Sequence, residues 1–154
     1  MWTMASTTYS QYRGRILVVD QDDWCREFLS QVIKLCGIGE FHLARSAEEA
    51  SSLLEQLSFD LLITDLNLPQ YHQMLDDIRQ RFPGMRLIVM LHQRSQLQHI
   101  QLDQIEVVIK PLSLDEMARK IREAFHSKQR HKVEDLQIDA RAARSAHRAI
   151  HRQL

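Results

Sequence analysis

Three short apolar runs end in a charged residue: "RILVVD" at Asp20, "DLLITD" at Asp65 and "EVVIK" at Lys110. A lone polar residue at such a place would be read as a strand cap. Two carboxylates and an amine at the ends of three buried-looking runs suggest a shared charged site, provided the fold brings the three ends together.

The patterning supplies such a fold. The three runs, together with "EFHLA" (40–44) and "MRLIVML" (85–91), read as five strands. Between and after them lie helical patterns. "DDWCREFLSQVIKLCG" repeats its apolar residues at helical spacing and ends at Gly37, placed as a C-cap. "SAEEASSLLEQL" and "SLDEMARKIREAF" each open with a capping-box pair, Ser46 with Glu49 and Ser113 with Glu116. "YHQMLDDIRQRF" is a third helix, stopped by Pro83 and Gly84, and "SQLQHIQL" predicts a short one. Alternating strands and helices imply an α/β fold: a doubly wound, five-stranded parallel sheet in the order 2-1-3-4-5. Ligands of such sheets bind beyond the carboxyl ends of the strands, near the switch point between strands 1 and 3. Asp20 and Asp65 fall there.

At these residues the sequence resembles the receiver domain of two-component response regulators. "ILVVDQDDWCR", "LLITDLNLP" and "VVIKPLS" look like its three signature segments, and the likeness covers about residues 14–126. The resemblance implies a flavodoxin-like receiver fold and an aspartyl-phosphate switch. Asp65 would be the phosphoacceptor and Lys110 the cation that neutralises its oxygens, with a commonly cis bond to Pro111. Mg²⁺ would be held by Asp20, Asp65 and the backbone carbonyl of Asn67. Three positions depart from the pattern. The acid pair after strand 1 reads Asp20-Gln21, and glutamine is a poorer ligand for a hard cation, which implies a low-affinity Mg²⁺ site. Asp22 is next in line, but its carboxylate leaves the chain from a different place. Leu91 stands where a hydroxyl would bond the phosphoryl group, and Val107 where an aromatic ring would swing inward. The loop after Pro69 is reduced to "QYHQ", and the span from Leu91 to Lys110 is short, so the fourth helix must shrink. Two readings compete: a working receiver with a damaged switch, and a receiver-like module that no longer needs phosphate. The second is favoured. His92, next to Leu91, is either a phosphate or proton partner at the pocket mouth or, more plainly, a surface loop residue.

The rest of the chain is divided into an N-terminal arm (1–13) and a C-terminal helical extension (127–154). Net charge is zero, but residues 1–125 hold 13 Lys and Arg against 17 Asp and Glu, while 126–154 hold 7 against 3. In the extension Val133, Leu136, Ala140, Ala143, His147, Ile150 and Leu154 recur as a heptad seam. The seam predicts a homodimer, beside the plainer reading of an extended helix with a solvated basic side. Arg141, Arg144, Arg148 and Arg152 leave open a nucleic-acid contact and hence a transcriptional regulator, though no helix-turn-helix follows. His147 and His151 lie one helical turn apart with no third ligand, so a solvated face is preferred to a metal site. Cys25 and Cys36 read as reduced helix residues. No membrane-length apolar run or signal peptide is seen, so a cytoplasmic location is expected. Only four glycines are present and no phosphate-cradling glycine loop, which argues against a metabolic enzyme. The expected partner is a signalling protein, either a histidine kinase or a downstream effector.

Overall fold

A computed structural model describes residues 14–100 and 105–125. The N-terminal arm and the extension, with its seam, arginine band and histidine pair, lie outside the described residues. Strands β1 (Gly14–Val19), β2 (Gly39–Ala44), β3 (Leu61–Asp65), β4 (Arg86–Leu91) and β5 (Ile105–Ile109) form one parallel sheet in the expected order β2-β1-β3-β4-β5. Helices α1 (Asp23–Cys36), α2 (Ala47–Gln56) and α3 (Tyr71–Arg81) follow the first three strands, and α4 is helical over described residues 114–125.

Strand interiors carry branched apolar side chains because both faces are covered. Ile16, Val18, Ile63, Ile88, Met90 and Val108 pack against α1 and α4; Leu17, Val19, Leu62, Leu87, Val89 and Leu91 pack on the side of α2 and α3. All five residues of β3 are buried. The register keeps the strand ends level: Val19 pairs with Ala44, Asp65 with Met90, and Leu91 with Ile109. Asp20, Asp65 and Lys110 therefore arrive at one edge of the sheet.

The helix ends follow local chemistry. Asp22 caps α1, its carboxylate accepting from Trp24 N at 2.9 Å, and Gly37 closes the helix at φ 62°, in the left-handed region. Ser46 accepts from Glu49 N at 3.1 Å, but the Glu49 carboxylate reaches back to Arg45 N at 2.8 Å rather than to Ser46. The short fourth helix forms only as a 3-10 turn over Arg94–His99. Few residues separate β4 from β5, and the turn itself buries none. Among the described residues only Ile100, which ends the turn, reaches the core from this segment.

The shortened loop after β3 leaves its mark at Gln70, which enters α3 at φ 64° without a side-chain cap. A residue with a Cβ is strained there and glycine is not. Gln70→Gly is expected to stabilise the protein by about 0.5–1 kcal/mol, since relief of the strain exceeds glycine's added chain entropy. Urea unfolding of both proteins measures this.

Candidate functional site

The site is built around one ammonium. Lys110 Nζ lies 2.6 Å from Asp65 Oδ2 and 3.1 Å from Asp20 Oδ2. Both carboxylates are buried, at 3% exposure for Asp20 and 4% for Asp65. Burial favours the neutral amine, but the hydrogen bonds to Asp65 and then Asp20 outweigh it and hold the Lys110 pKa above the ordinary lysine value. Each carboxylate also closes a local turn. Asp20 Oδ1 accepts from Asp22 N at 2.9 Å, and Asp65 Oδ1 accepts from Asn67 N at 2.7 Å. The peptide bond between Lys110 and Pro111 is cis.

Beneath the site, Arg26 donates from Nη1 to the backbone carbonyl of Asp20 at 2.5 Å and pairs with Asp23. The neighbouring Cys25 thiol is pushed up to about 12, first by burial and then by Asp20, so it stays protonated as core packing. No buried side-chain nitrogen or oxygen among the described residues lacks a hydrogen-bond partner.

A shallow cavity of about 170 Å³ opens over Asp65, bordered by Asp20, Gln21, Asp22, Asn67, His92 and Lys110. Among the described residues no group of three His, Cys, Asp or Glu side chains is arranged for a metal. A hard divalent cation does not require one. Mg²⁺ is ordinarily held by one or two carboxylates with several waters, and a backbone carbonyl can complete the protein donors. Asp20, Asp65 and Asn67 fit that set, with Gln21 adding no charge. Asp22 borders the cavity, and its Oδ1 accepts from Trp24 N at the cap of α1.

The structure thus brings Asp20, Asp65, Asn67 and Lys110 together. Leu91 is fully buried at the end of β4, and its carbonyl accepts from Lys110 N at 2.7 Å. Val107 is half-buried on the same side of the sheet. His92 is an exposed residue of the loop after β4, as expected, and it also sits at the pocket mouth: its Nε2 lies 2.9 Å from Asp65 Oδ2 and 3.2 Å from Oδ1. Gln96 was not anticipated at all. Its side-chain oxygen accepts from His92 N at 2.7 Å, and its amide donates to Asn67 Oδ1 at 3.0 Å. The register could have flagged His92, two residues beyond the partner of Asp65, as a side chain near that carboxylate.

Comparison with known proteins gives a consistent picture. The family model for the response regulator receiver domain matches residues 16–122. The response regulator protein FleR of Pseudomonas aeruginosa is 38% identical over 79 residues, which are 50% of this chain and 16% of that protein. The chain therefore spans only a small part of the curated relative it matches. Among solved structures, the signal receiver domain of an HD domain-containing protein from Pseudomonas fluorescens Pf-5 is 26% identical. Its TM-score is 0.68, over 76% of this chain and 98% of that one. The response regulator protein TrrA from Thermotoga maritima, in complex with Mg²⁺-BeF, is 25% identical. Its TM-score is 0.64, over 72% and 98% of the two chains.

The placement of Asp22 generates a prediction. Asp22→Ala is expected to cost about 1 kcal/mol through loss of the helix cap, whereas Asp22→Ser keeps a capping oxygen and most of the stability. Thermal melts of the two variants check this. Equal, undiminished stability in both would mean that the carboxylate does not cap α1.

Proposed function

The chain belongs to the response regulator receiver family, and from that premise we propose that it signals by protein–protein contact with phosphorylation at Asp65 impaired or dispensed with. Response regulators act in two-component transduction with histidine kinases and downstream effectors, and receiver domains are generally signalling modules rather than enzymes. The partner here is one of those two kinds, met in the cytoplasm; no described helix is long and apolar enough to cross a membrane.

The observation that carries the reading is the charge balance of the pocket. Lys110 already engages one oxygen of each buried carboxylate, and the next side chain, Gln21, is neutral. Asp20, Asp65 and the carbonyl of Asn67 would hold Mg²⁺, which when bound draws a phosphoryl donor to the acceptor and offsets its charge. With one net negative charge from the Asp20–Asp65–Lys110 group, that attraction is weaker than a second carboxylate would make it. Asp65 would supply the attacking oxygen, and Lys110 would neutralise the oxygens of the transferred group. At the relay positions, Leu91 offers no donor to a phosphoryl oxygen and Val107 no ring to turn inward. Phosphorylation of Asp65 would therefore transmit little to the β4–β5 side of the sheet.

A second reading, a conventional phospho-accepting receiver, is favoured by the 2.6 Å contact of Lys110 with Asp65, the pairing such chemistry requires. The same pair also serves stability, because a buried carboxylate needs a counter-charge in any case. The nucleic-acid and homodimer readings depend on residues 126–154, outside the described residues.

Incubation with Mg²⁺ and a small phosphodonor, followed by intact mass, separates the first two readings. Little or no phosphorylated protein is expected from the native chain. Gln21→Asp is expected to bind Mg²⁺ roughly tenfold more tightly, as one further carboxylate ligand would provide, and to gain phosphate. Ready, stoichiometric uptake by the native chain on Asp65 would establish the conventional receiver instead.

A further inference from the structure

The contacts of His92 and Gln96 close a circuit around the acceptor. His92 Nε2 meets both oxygens of Asp65, at 2.9 and 3.2 Å. The backbone N–H of His92 donates to Gln96 Oε1, the Gln96 amide donates to Asn67 Oδ1, and Asn67 N donates back to Asp65 Oδ1. The 3-10 turn is thereby tied across the pocket to the loop after β3. Gln93 N also donates to Gln96 Oε1, at 3.2 Å, so both residues that leave β4 are held by one side chain.

Every oxygen of Asp65 is engaged in this arrangement. Oδ1 receives Asn67 N and the imidazole, and Oδ2 receives Lys110 and the imidazole. Lys110 and Asn67 approach from the sheet edge and the loop, and both are compatible with a group bonded to the carboxylate. The imidazole lies over the cavity itself and competes for the lone pairs that an attack would use. It is also the member free to leave: its side chain is 43% exposed, whereas that of Lys110 is 17% exposed.

The geometry points to a clasp: His92 covers the acceptor oxygens of Asp65, and Gln96 positions it, so that the pair sets how readily a phosphoryl donor reaches the carboxylate. The inference rests on the reading of Asp65 as phosphoacceptor. It adds a chain-specific barrier to the charge deficit at Gln21. With phosphoramidate as donor, in its N-protonated zwitterionic form, an Asp65 oxygen bonds phosphorus as the P–N bond breaks, and the –NH₃⁺ nitrogen keeps the bonding pair and leaves as ammonia. The imidazole must turn aside before that bond forms. The hydrogen bond it gives up is to a charged acceptor, so its loss in a variant is worth about a tenfold change in rate. Gln96 touches neither donor nor acceptor oxygen. It is a positioning residue, and its removal should give a smaller change of the same sign.

The test measures initial phosphorylation by phosphoramidate and Mg²⁺, read by intact mass. It uses the native chain, His92→Ala and Gln96→Ala, each also carrying Gln21→Asp so that a shortage of metal does not hide release. His92→Ala is expected to react about tenfold faster and Gln96→Ala a few-fold faster, with melting temperatures unchanged or lower. A gain in rate is not what damage to the fold produces. A metal-free readout accompanies it: the Nε2 resonance of His92 should shift in both Asp65→Asn and Gln96→Ala. Unchanged or slower uptake in both His92→Ala backgrounds overturns the clasp. If the native chain is then slow, the impaired-receiver reading survives. If the native chain is fast and His92→Ala faster still, the clasp stands and that reading falls.

Discussion

One ammonium shared between two buried carboxylates is the constraint around which this domain is arranged. Asp20 and Asp65 are almost wholly removed from water, and their charges would repel across a short gap without Lys110 between them. Removing one partner of a buried ionic group costs several kcal/mol, because the remaining charge is left uncompensated. The strand register serves this need: β1, β3 and β5 must end level for the three side chains to meet. The two Asx turns satisfy the other carboxylate oxygens, so the cluster is complete without any ligand. That completeness explains how the Asp65–Lys110 pair can persist whether or not phosphate is ever transferred.

The same cluster shapes the functional account. A carboxylate becomes a useful nucleophile only when cations gather the incoming group against it. Here one cation is built in, the carboxylate that would strengthen a second is replaced by Gln21, and an imidazole lies over the acceptor. Further from the acceptor, Leu91 and Val107 are packed as apolar core residues rather than as members of a polar relay. On the function proposed above, these features would act at different points, on metal affinity, on access and on transmission, to weaken the link between phosphate and conformation, leaving protein contact as the basis for signalling.

Much of this was legible in the sequence because the signals were strong. Branched apolar runs ending in charge placed Asp20, Asp65 and Lys110 at one edge, and the capping residues Ser46, Ser113 and Gly37 marked helix ends. The role of Asp22 was partly visible: it stands next in line as a doubtful ligand, and the structure gives one of its oxygens to the α1 cap. The contact of His92 was legible only in part: its place after Leu91 puts it at the pocket mouth, but its reach to Asp65 depends on how the chain turns after β4, which no periodicity records. Gln96 was hidden for the same reason, with both of its partners held in place by tertiary structure rather than by spacing. The left-handed Gln70 escaped notice because glutamine carries no signal for that conformation. The helix between β4 and β5 was expected to be short; its 3-10 form over Arg94–His99, with no residue of the turn buried, carries no signal in the sequence.

We propose that Asp65 is uncoupled from the β4–β5 side of the sheet. The most direct measurement is the amide NMR spectrum of the chain at saturating Mg²⁺ and beryllofluoride, compared with Mg²⁺ alone. The account predicts that shifts, if any, stay with residues bordering the pocket, such as Gln21, Asn67 and His92. Large shifts spreading through Leu91 and Val107 into the helix at residues 114–125 would show a working switch and contradict it.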